Sequence, residues 1–182
     1  MLGTAFLYLS MLAPAHLNAP QAAIYEQGIY ASSRENSSVI ISKNTTNPLR
    51  FEGGHVAEVL ATGSRVPLIR GLSFGFFYDF PTLNGDYKML WQVEHPPITT
   101  PDGRVSTGYQ EERNVYVSPG IPDIRVYTFD HPYEMVEGRW VFRYFYQGQQ
   151  VLEQSFTTYK PDAAEAKVWQ QKLNKALNEQ QP

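Results

Sequence analysis

The stretch GLSFGFFYDF, residues 71–80, places a large apolar side chain at every second position. Alternation with a period of two is typical of a β-strand, whose side chains point in turn to two opposite faces. The apolar phase comprises Leu72, Phe74, Phe76, Tyr78 and Phe80. Phe77 is the one large apolar residue of the other phase. The pattern predicts a central strand of a β-sandwich, with Phe74 and Phe76 in the core and Phe77 facing the other way.

The segments next to this strand carry turn signals. Gly71 and Gly75 are predicted to leave room for a bulge or for a neighbour's aromatic ring. Asn84-Gly85 favours a tight reversal, and residues 87–94 alternate again, so the two runs are predicted to pair as a hairpin with one buried face. Pro96-Pro97 is predicted to end the second strand, because proline cannot donate to a ladder. Pro101-Asp102-Gly103 indicates a further turn.

Further extended runs occupy most of the chain. A first strand is predicted over residues 23–30, followed by a long, mobile connection over residues 32–54 that is rich in Ser, Asn, Thr, Pro and Gly. Additional strands are predicted over residues 106–117 and 124–129. The clearest late hairpin joins residues 140–146 to 151–159 across Gln147-Gly148, with Trp140, Phe142 and Tyr144 sharing one face. Many strands without βαβ alternation predict an all-β sandwich or barrel.

The C-terminal segment has a different period. After Pro161, residues 162–180 place apolar side chains on one helical stripe, with acidic residues early and lysines later. The stripe consists of Ala166, Trp169, Leu173, Ala176 and Leu177. An amphipathic C-terminal helix is therefore predicted within residues 161–182. Its stripe is expected to dock on the sandwich or on a second copy of the chain, the latter giving a homodimer.

The N-terminal segment bears on the compartment. Residues 2–15 are uncharged and mostly apolar, a length that fits the apolar region of a signal peptide and is too short to span a bilayer. The prediction is a signal peptide over residues 1–22, a β-sandwich domain over 23–160 and a periplasmic or secreted mature protein without a membrane span. No Lys or Arg precedes Arg34, which departs from the usual signal pattern, and a buried first strand or helix is the alternative.

Composition and motifs exclude several classes of function. The chain of 182 residues has a formal charge of -3 with acidic and basic residues well mixed, so it offers no basic stripe for nucleic acid. The absence of cysteine removes thiol nucleophiles and cysteine-ligated metals. Neither phosphate-binding glycine pattern, G-x-x-x-x-G-K or G-x-G-x-x-G, occurs.

Candidate catalytic and metal-binding residues lack the spacing that their chemistry needs. His95 and His131 each precede a proline but show no H-x-x-x-H or H-x-H spacing, and they are interpreted as exposed turn residues. Ser73 lies inside a strand pattern without a G-x-S-x-G turn. Glu111 and Glu112 are neighbours on a strand and therefore point to opposite faces. No catalytic residue, metal or cofactor is predicted.

Three segments together resemble a known family. They are GLSFGFFYDF, HPPITTPDG and the run YTFDHPYEMVEGRWVFRYFYQGQQVLEQSFTTY. This combination is similar to a numbered family of bacterial, mostly exported proteins, domain of unknown function 3859, over about residues 24–160. The resemblance implies an immunoglobulin-like sandwich and brings no known activity.

The functional hypothesis rests on exposed aromatic residues. Phe77, Tyr127 and Tyr133 are predicted to be candidates for a binding patch. The leading hypothesis is a non-enzymatic module that binds a protein partner in the cell envelope through a sheet edge or loops. The alternative is a module that binds a small ligand or carbohydrate through clustered aromatics. A flat aromatic platform or deep pocket would favour the alternative, whereas an exposed unpaired edge would favour protein association.

Overall fold

The computed structural model describes residues 19–33, 37–41, 46, 49–52 and 55–179. Residues 1–18, which form most of the predicted signal peptide, lie outside the described residues. Within the described part, strands dominate and one α-helix follows them. The elements are β1 (Ala23–Ser33), β2 (Ser38–Ile41), β3 (Leu49–Glu52), β4 (His55–Thr62), β5 (Arg65–Pro67), β6 (Ser73–Asp79), β7 (Gly85–Thr99), β8 (Val105–Val117), β9 (Asp123–Thr128), a short 3₁₀ helix (Pro132–Glu134), β10 (Gly138–Tyr146), β11 (Gln149–Tyr159) and α1 (Ala163–Asn178).

Two sheets form a β-sandwich. A four-stranded sheet has the order β4-β1-β6-β9, and a five-stranded sheet has the order β5-β11-β10-β7-β8. The two strands β2 and β3 pair separately with each other. All described pairings are antiparallel except that of β5 with β11. The predicted all-β sandwich is confirmed, and the opening stretch forms an internal strand, β6.

Aromatic rings fill the space between the sheets. Phe74 and Phe76 are fully buried, as the alternation predicts, and so is Trp140 on β10. The ring centroid of Phe74 lies 5.4 Å from that of Trp140 and 5.3 Å from that of Phe156. Each fully buried ring contributes about 2–3 kcal/mol through the apolar surface it removes from water. In a chain without disulfides, this packing holds the two sheets together.

The predicted hairpin between the opening stretch and residues 87–94 is wrong. Strand β6 pairs with β1 and β9, whereas β7 pairs with β8 and β10 in the other sheet. The connection through Phe80 and Leu83, both buried, carries the chain from one sheet to the other. Two strands that face each other across a core have the same alternating pattern as two strands paired side by side, so the pattern does not distinguish these arrangements.

Two smaller predictions around proline and glycine are also corrected. β7 continues past Pro96-Pro97 to Thr99, and its register with β8 is interrupted between Glu94 and Ile98. A bulge tolerates proline because ladder hydrogen bonds are already missing there. At Gly75 the backbone of β9 packs close to that of β6. A Cβ added at this position would lie 1.8 Å from the carbonyl oxygen of Arg125. The room predicted for a bulge or an aromatic ring is thus taken by a neighbouring strand.

The predicted loop over residues 32–54 contains the strands β2 and β3. The β-branched run Val39-Ile40-Ile41 explains β2, since such residues favour extended backbone. The turn predicted at Pro101-Asp102-Gly103 is confirmed, with the Gly103 amide donating to the Thr100 carbonyl at 2.9 Å. The hairpin across Gln147-Gly148 is confirmed as β10 and β11.

The predicted C-terminal helix is α1. Asp162 caps its N-terminus by accepting a hydrogen bond from the Glu165 amide at 2.8 Å. Leu173 and Ala176 are buried against the sandwich, and α1 contacts β1 and β4. The apolar stripe thus packs on the same chain's sandwich, and a homodimer through this helix stays a prediction.

Candidate functional site

Of the three aromatic residues predicted to form a binding patch, Phe77 lies apart from Tyr127. Phe77 pairs with Ile124 and points away from the core, where its ring contacts that of Tyr30 at a centroid distance of 6.0 Å. Tyr127 pairs with Phe74 and therefore points into the sandwich, with its ring centroid 4.6 Å from that of Trp140. Phe77 and Tyr127 lie on opposite faces of one sheet and do not form a common surface. Binding by either residue alone stays a prediction.

Tyr127 and Tyr133 belong to the network that closes one end of the sandwich. The Tyr127 hydroxyl donates to Glu134 Oε1 at 3.2 Å, while Glu134 Oε2 accepts from the amides of Asp130 and His131 at 2.8 Å each. Burial raises the pKa of Glu134, and the hydrogen bonds from the two backbone amides oppose that rise. Tyr133 stacks on His131 with ring centroids 5.0 Å apart. These contacts hold Tyr127 and Tyr133 within the fold of the chain itself.

His95 occupies a buried polar pocket, so its interpretation as an exposed turn residue is wrong. Its side chain is 5% exposed and packs against Trp140 with ring centroids 4.9 Å apart. Nδ1 lies 2.7 Å from the Pro96 carbonyl oxygen, which assigns the ring proton to Nδ1 and leaves Nε2 as an acceptor. The Thr46 hydroxyl, 2.8 Å from Nε2, is then the donor. His95 thereby ties Thr46, between β2 and β3, to the sandwich.

The burial of His95 predicts a dependence of stability on pH. Burial lowers the pKa of His95, and its hydrogen bond to the Pro96 carbonyl partly opposes that change. The unfolded chain, with a histidine pKa of about 6.5, therefore binds a proton before the folded chain does. The contribution of neutral His95 to the free energy of unfolding is fully present above about pH 6.5 and is lost as the pH drops toward the folded-state pKa. Between about pH 8 and about pH 5, the melting temperature should fall less for His95→Gln than for the native chain. An equal fall contradicts the inference that buried His95 causes the pH dependence.

Among the described strands, β8 is the longest that lies at the end of a sheet. This strand of 13 residues lies at the end of the five-stranded sheet, and among the described strands it pairs with β7 alone. Its register with β7 places Tyr109, Glu111 and Arg113 on the inner face, in line with Trp91, and Gln110 and Glu112 on the outer face. Each face of β8 therefore offers its own row of side chains beside an edge of backbone hydrogen-bonding groups.

An arginine cluster bridges β8 and the edge strand of the other sheet, β9. Arg125 on β9 donates from Nη2 to the Tyr109 hydroxyl at 3.0 Å. The Cζ atoms of Arg125 and Arg113 lie 4.5 Å and 4.6 Å from the centroid of the Trp91 ring. Arg113 also pairs with Glu111, Nε to Oε2, at 3.4 Å. Among the residues that the structure describes, no carboxylate forms an ion pair with Arg125.

Sequence analysis did not identify the arginine cluster. Arg125 lies in the same phase of its strand as Tyr127 and Phe129, and this charged residue in a buried aromatic row was the available signal. The contact of Arg125 with Trp91 depends on how the two sheets face each other, which alternation does not reveal.

A cleft lies on the outer face of the five-stranded sheet. This outer cleft has a volume of about 730 Å³. Residues that line it include Leu90, Gln92, Gln110, Phe145, Tyr146 and Gln147. Amide and aromatic side chains together suit a polar ligand with apolar faces, such as a saccharide.

Metal-binding and membrane-spanning features were sought in the described part of the chain. There, no group of three or more His, Asp or Glu side chains is placed to hold a metal ion. No helix among the described residues is long and apolar enough to cross a bilayer.

Comparison with known proteins shows which family this chain resembles throughout most of its length. The family model described as "Domain of unknown function (DUF3859)" matches residues 18–158, so the chain belongs to that family. A crystal structure of an immunoglobulin-like protein from Pseudomonas aeruginosa is 22% identical, covers 76% of this chain and 97% of its own, and superposes with a TM-score of 0.50. This likeness shows an immunoglobulin-like fold. No curated protein matches the chain significantly.

Proposed function

We propose that this member of the DUF3859 family is a non-enzymatic binding module of the cell envelope that takes up an extended segment of a protein partner at β8. An unpaired edge strand presents backbone N–H and C=O groups that a partner strand can satisfy. The single observation that carries the proposal is the position of β8 at the end of its sheet. The envelope location rests on the apolar N-terminal segment of the sequence.

The other sheet edges suit this role less well. β5 has three residues and β9 has six, which gives a partner strand few hydrogen bonds. β4 has eight residues and is contacted by α1. At the start of β8 the Thr46 hydroxyl lies 2.9 Å from that of Ser106. The segment from Tyr109 to Val117 is therefore the part of β8 proposed to receive a partner.

Site-directed photo-crosslinking tests the proposal, because a chain without cysteine accepts a single label cleanly. A benzophenone attached to Asn114→Cys, exposed on β8, should give one defined adduct in envelope fractions. The matched label on Ala164→Cys, exposed on α1, should not give that adduct. Identical adducts from both positions, or none from Asn114→Cys, contradict docking at β8. An adduct with the mass of two chains identifies a second copy as the occupant.

The outer cleft supports a second candidate function, binding of a saccharide. Phe145 offers an aromatic ring, and Gln92 and Gln110 offer amide groups, among the side chains that line the cleft. Titration with oligosaccharides should then shift the NMR signals of these amide side chains and leave the backbone signals of β8 unchanged. Shifts confined to the β8 backbone on addition of partner protein favour the first proposal over this one.

A further inference from the structure

The arginine cluster lies on the inner face of the five-stranded sheet, the face to which a strand added to β8 would direct half of its side chains. Side chains of neighbouring strands point to the same face where residues are paired. An added strand would therefore direct alternate residues inward beside Tyr109, Glu111 and Arg113, and the others outward beside Gln110 and Glu112. The two faces present different side chains, so they set different requirements for the partner.

Arg125 is an inner-facing arginine that forms no ion pair with a described carboxylate. Arg113 and Glu111 form an ion pair, whereas Arg125 is bound by a neutral hydroxyl and an aromatic ring. A guanidinium presents several N–H donors in one plane, and the Tyr109 hydroxyl uses one of the two Nη groups. On the outer face, Glu112 pairs with Lys88 at 2.5 Å. Among the described residues, Arg125 thus has no carboxylate partner, since the inner-facing Asp123 instead accepts a hydrogen bond from the Tyr78 hydroxyl at 2.9 Å.

We infer that the segment docking on β8 carries an inward-facing Asp or Glu whose carboxylate binds Arg125. This inference rests on the proposed function. A carboxylate matches the planar donor geometry of arginine and forms charge-assisted hydrogen bonds, which are stronger than those between neutral groups. Trp91 packs against the guanidinium and limits its orientations, so the Arg125 side chain loses little conformational freedom when it binds the carboxylate. The partner is therefore an extended peptide with an acidic residue in one phase.

Selection from a random peptide library against the immobilised full-length chain tests the inference. Peptides that shift the NMR signals of β8 amides should share an acidic residue at one position. Replacing that residue by its amide, Glu to Gln or Asp to Asn, should weaken binding about tenfold. Arg125→Gln should weaken binding of the acidic peptide to the same extent, and the two changes together should cost no more than either alone. Arg139→Gln, an exposed arginine on β10, is the matched control and should leave affinity unchanged.

The outcomes separate the inference from the proposed function. Peptides that bind at β8 without any acidic preference overturn the inference and leave docking at β8 intact. If no selected peptide shifts the β8 signals, both are wrong. Equal affinity for the acidic peptide and its amide version overturns the inference independently of how well Arg125→Gln folds.

Discussion

Phe74→Ala should lower the free energy of unfolding by about 3–5 kcal/mol, which is a large part of the stability of an ordinary domain. The Phe74 ring lies within 6.0 Å, centroid to centroid, of five other aromatic rings. These rings belong to both sheets, so the cavity left by alanine lies at the centre of the sandwich and cannot be closed by the movement of one side chain. Urea denaturation of the native chain and the variant measures the difference.

Phe77→Ala is the matched control, because the residue belongs to the same strand and has the same side chain. Phe77 is half-buried on the outer face, and among the described rings it contacts that of Tyr30. Its removal should cost about 1–2 kcal/mol. If Phe77→Ala proves as damaging as Phe74→Ala, both faces of β6 are buried to the same degree, and Phe77 is excluded as an anchor for a binding surface.

The sequence predicts which side chains of β6 point into the core because that information is local. Alternation of side chains follows from the backbone of one strand, and Phe74, Phe76 and Phe77 obey it. The partner of the strand is not local information. β6 pairs with β1 and β9, which lie far from it in the sequence, while the run that follows it joins the other sheet. The predicted hairpin at Asn84-Gly85 was wrong for this reason.

The same distinction applies to the candidate site. The polar and aromatic side chains of β8 and β9 can be read from the sequence, but the position of β8 at a sheet edge depends on the order of five strands. The contact between the Arg125 guanidinium and the Trp91 ring depends in addition on how the two sheets are oriented relative to each other. The predicted binding residues Phe77 and Tyr127 lie on opposite faces, because the register of β6 with β9 separates them by three strand positions.

Leu173→Ala should lower the free energy of unfolding by about 2–4 kcal/mol, although the residue lies in a helix outside both sheets. Leu173 is 2% exposed, and its Cδ2 atom lies 3.3 Å from the place that a Cβ on Gly71 would take. The helix thus packs directly against the turn that precedes β6. Thermal and urea denaturation of the variant should both shift, and the transition should remain a single one because helix and sandwich share a core.

Val168→Ala on the same helix provides the control, since Val168 is 51% exposed. Loss of that side chain removes little buried surface, and alanine has the higher helix propensity, so stability should change by about 0.5 kcal/mol or less. Sedimentation of the native chain and both variants addresses the predicted homodimer. If Leu173→Ala dissociates a dimer without lowering the stability of the monomer, the apolar stripe acts between copies. A loss of monomer stability confined to Leu173→Ala means that α1 serves its own sandwich, because only an intramolecular contact makes the burial of Leu173 part of the folding of one chain.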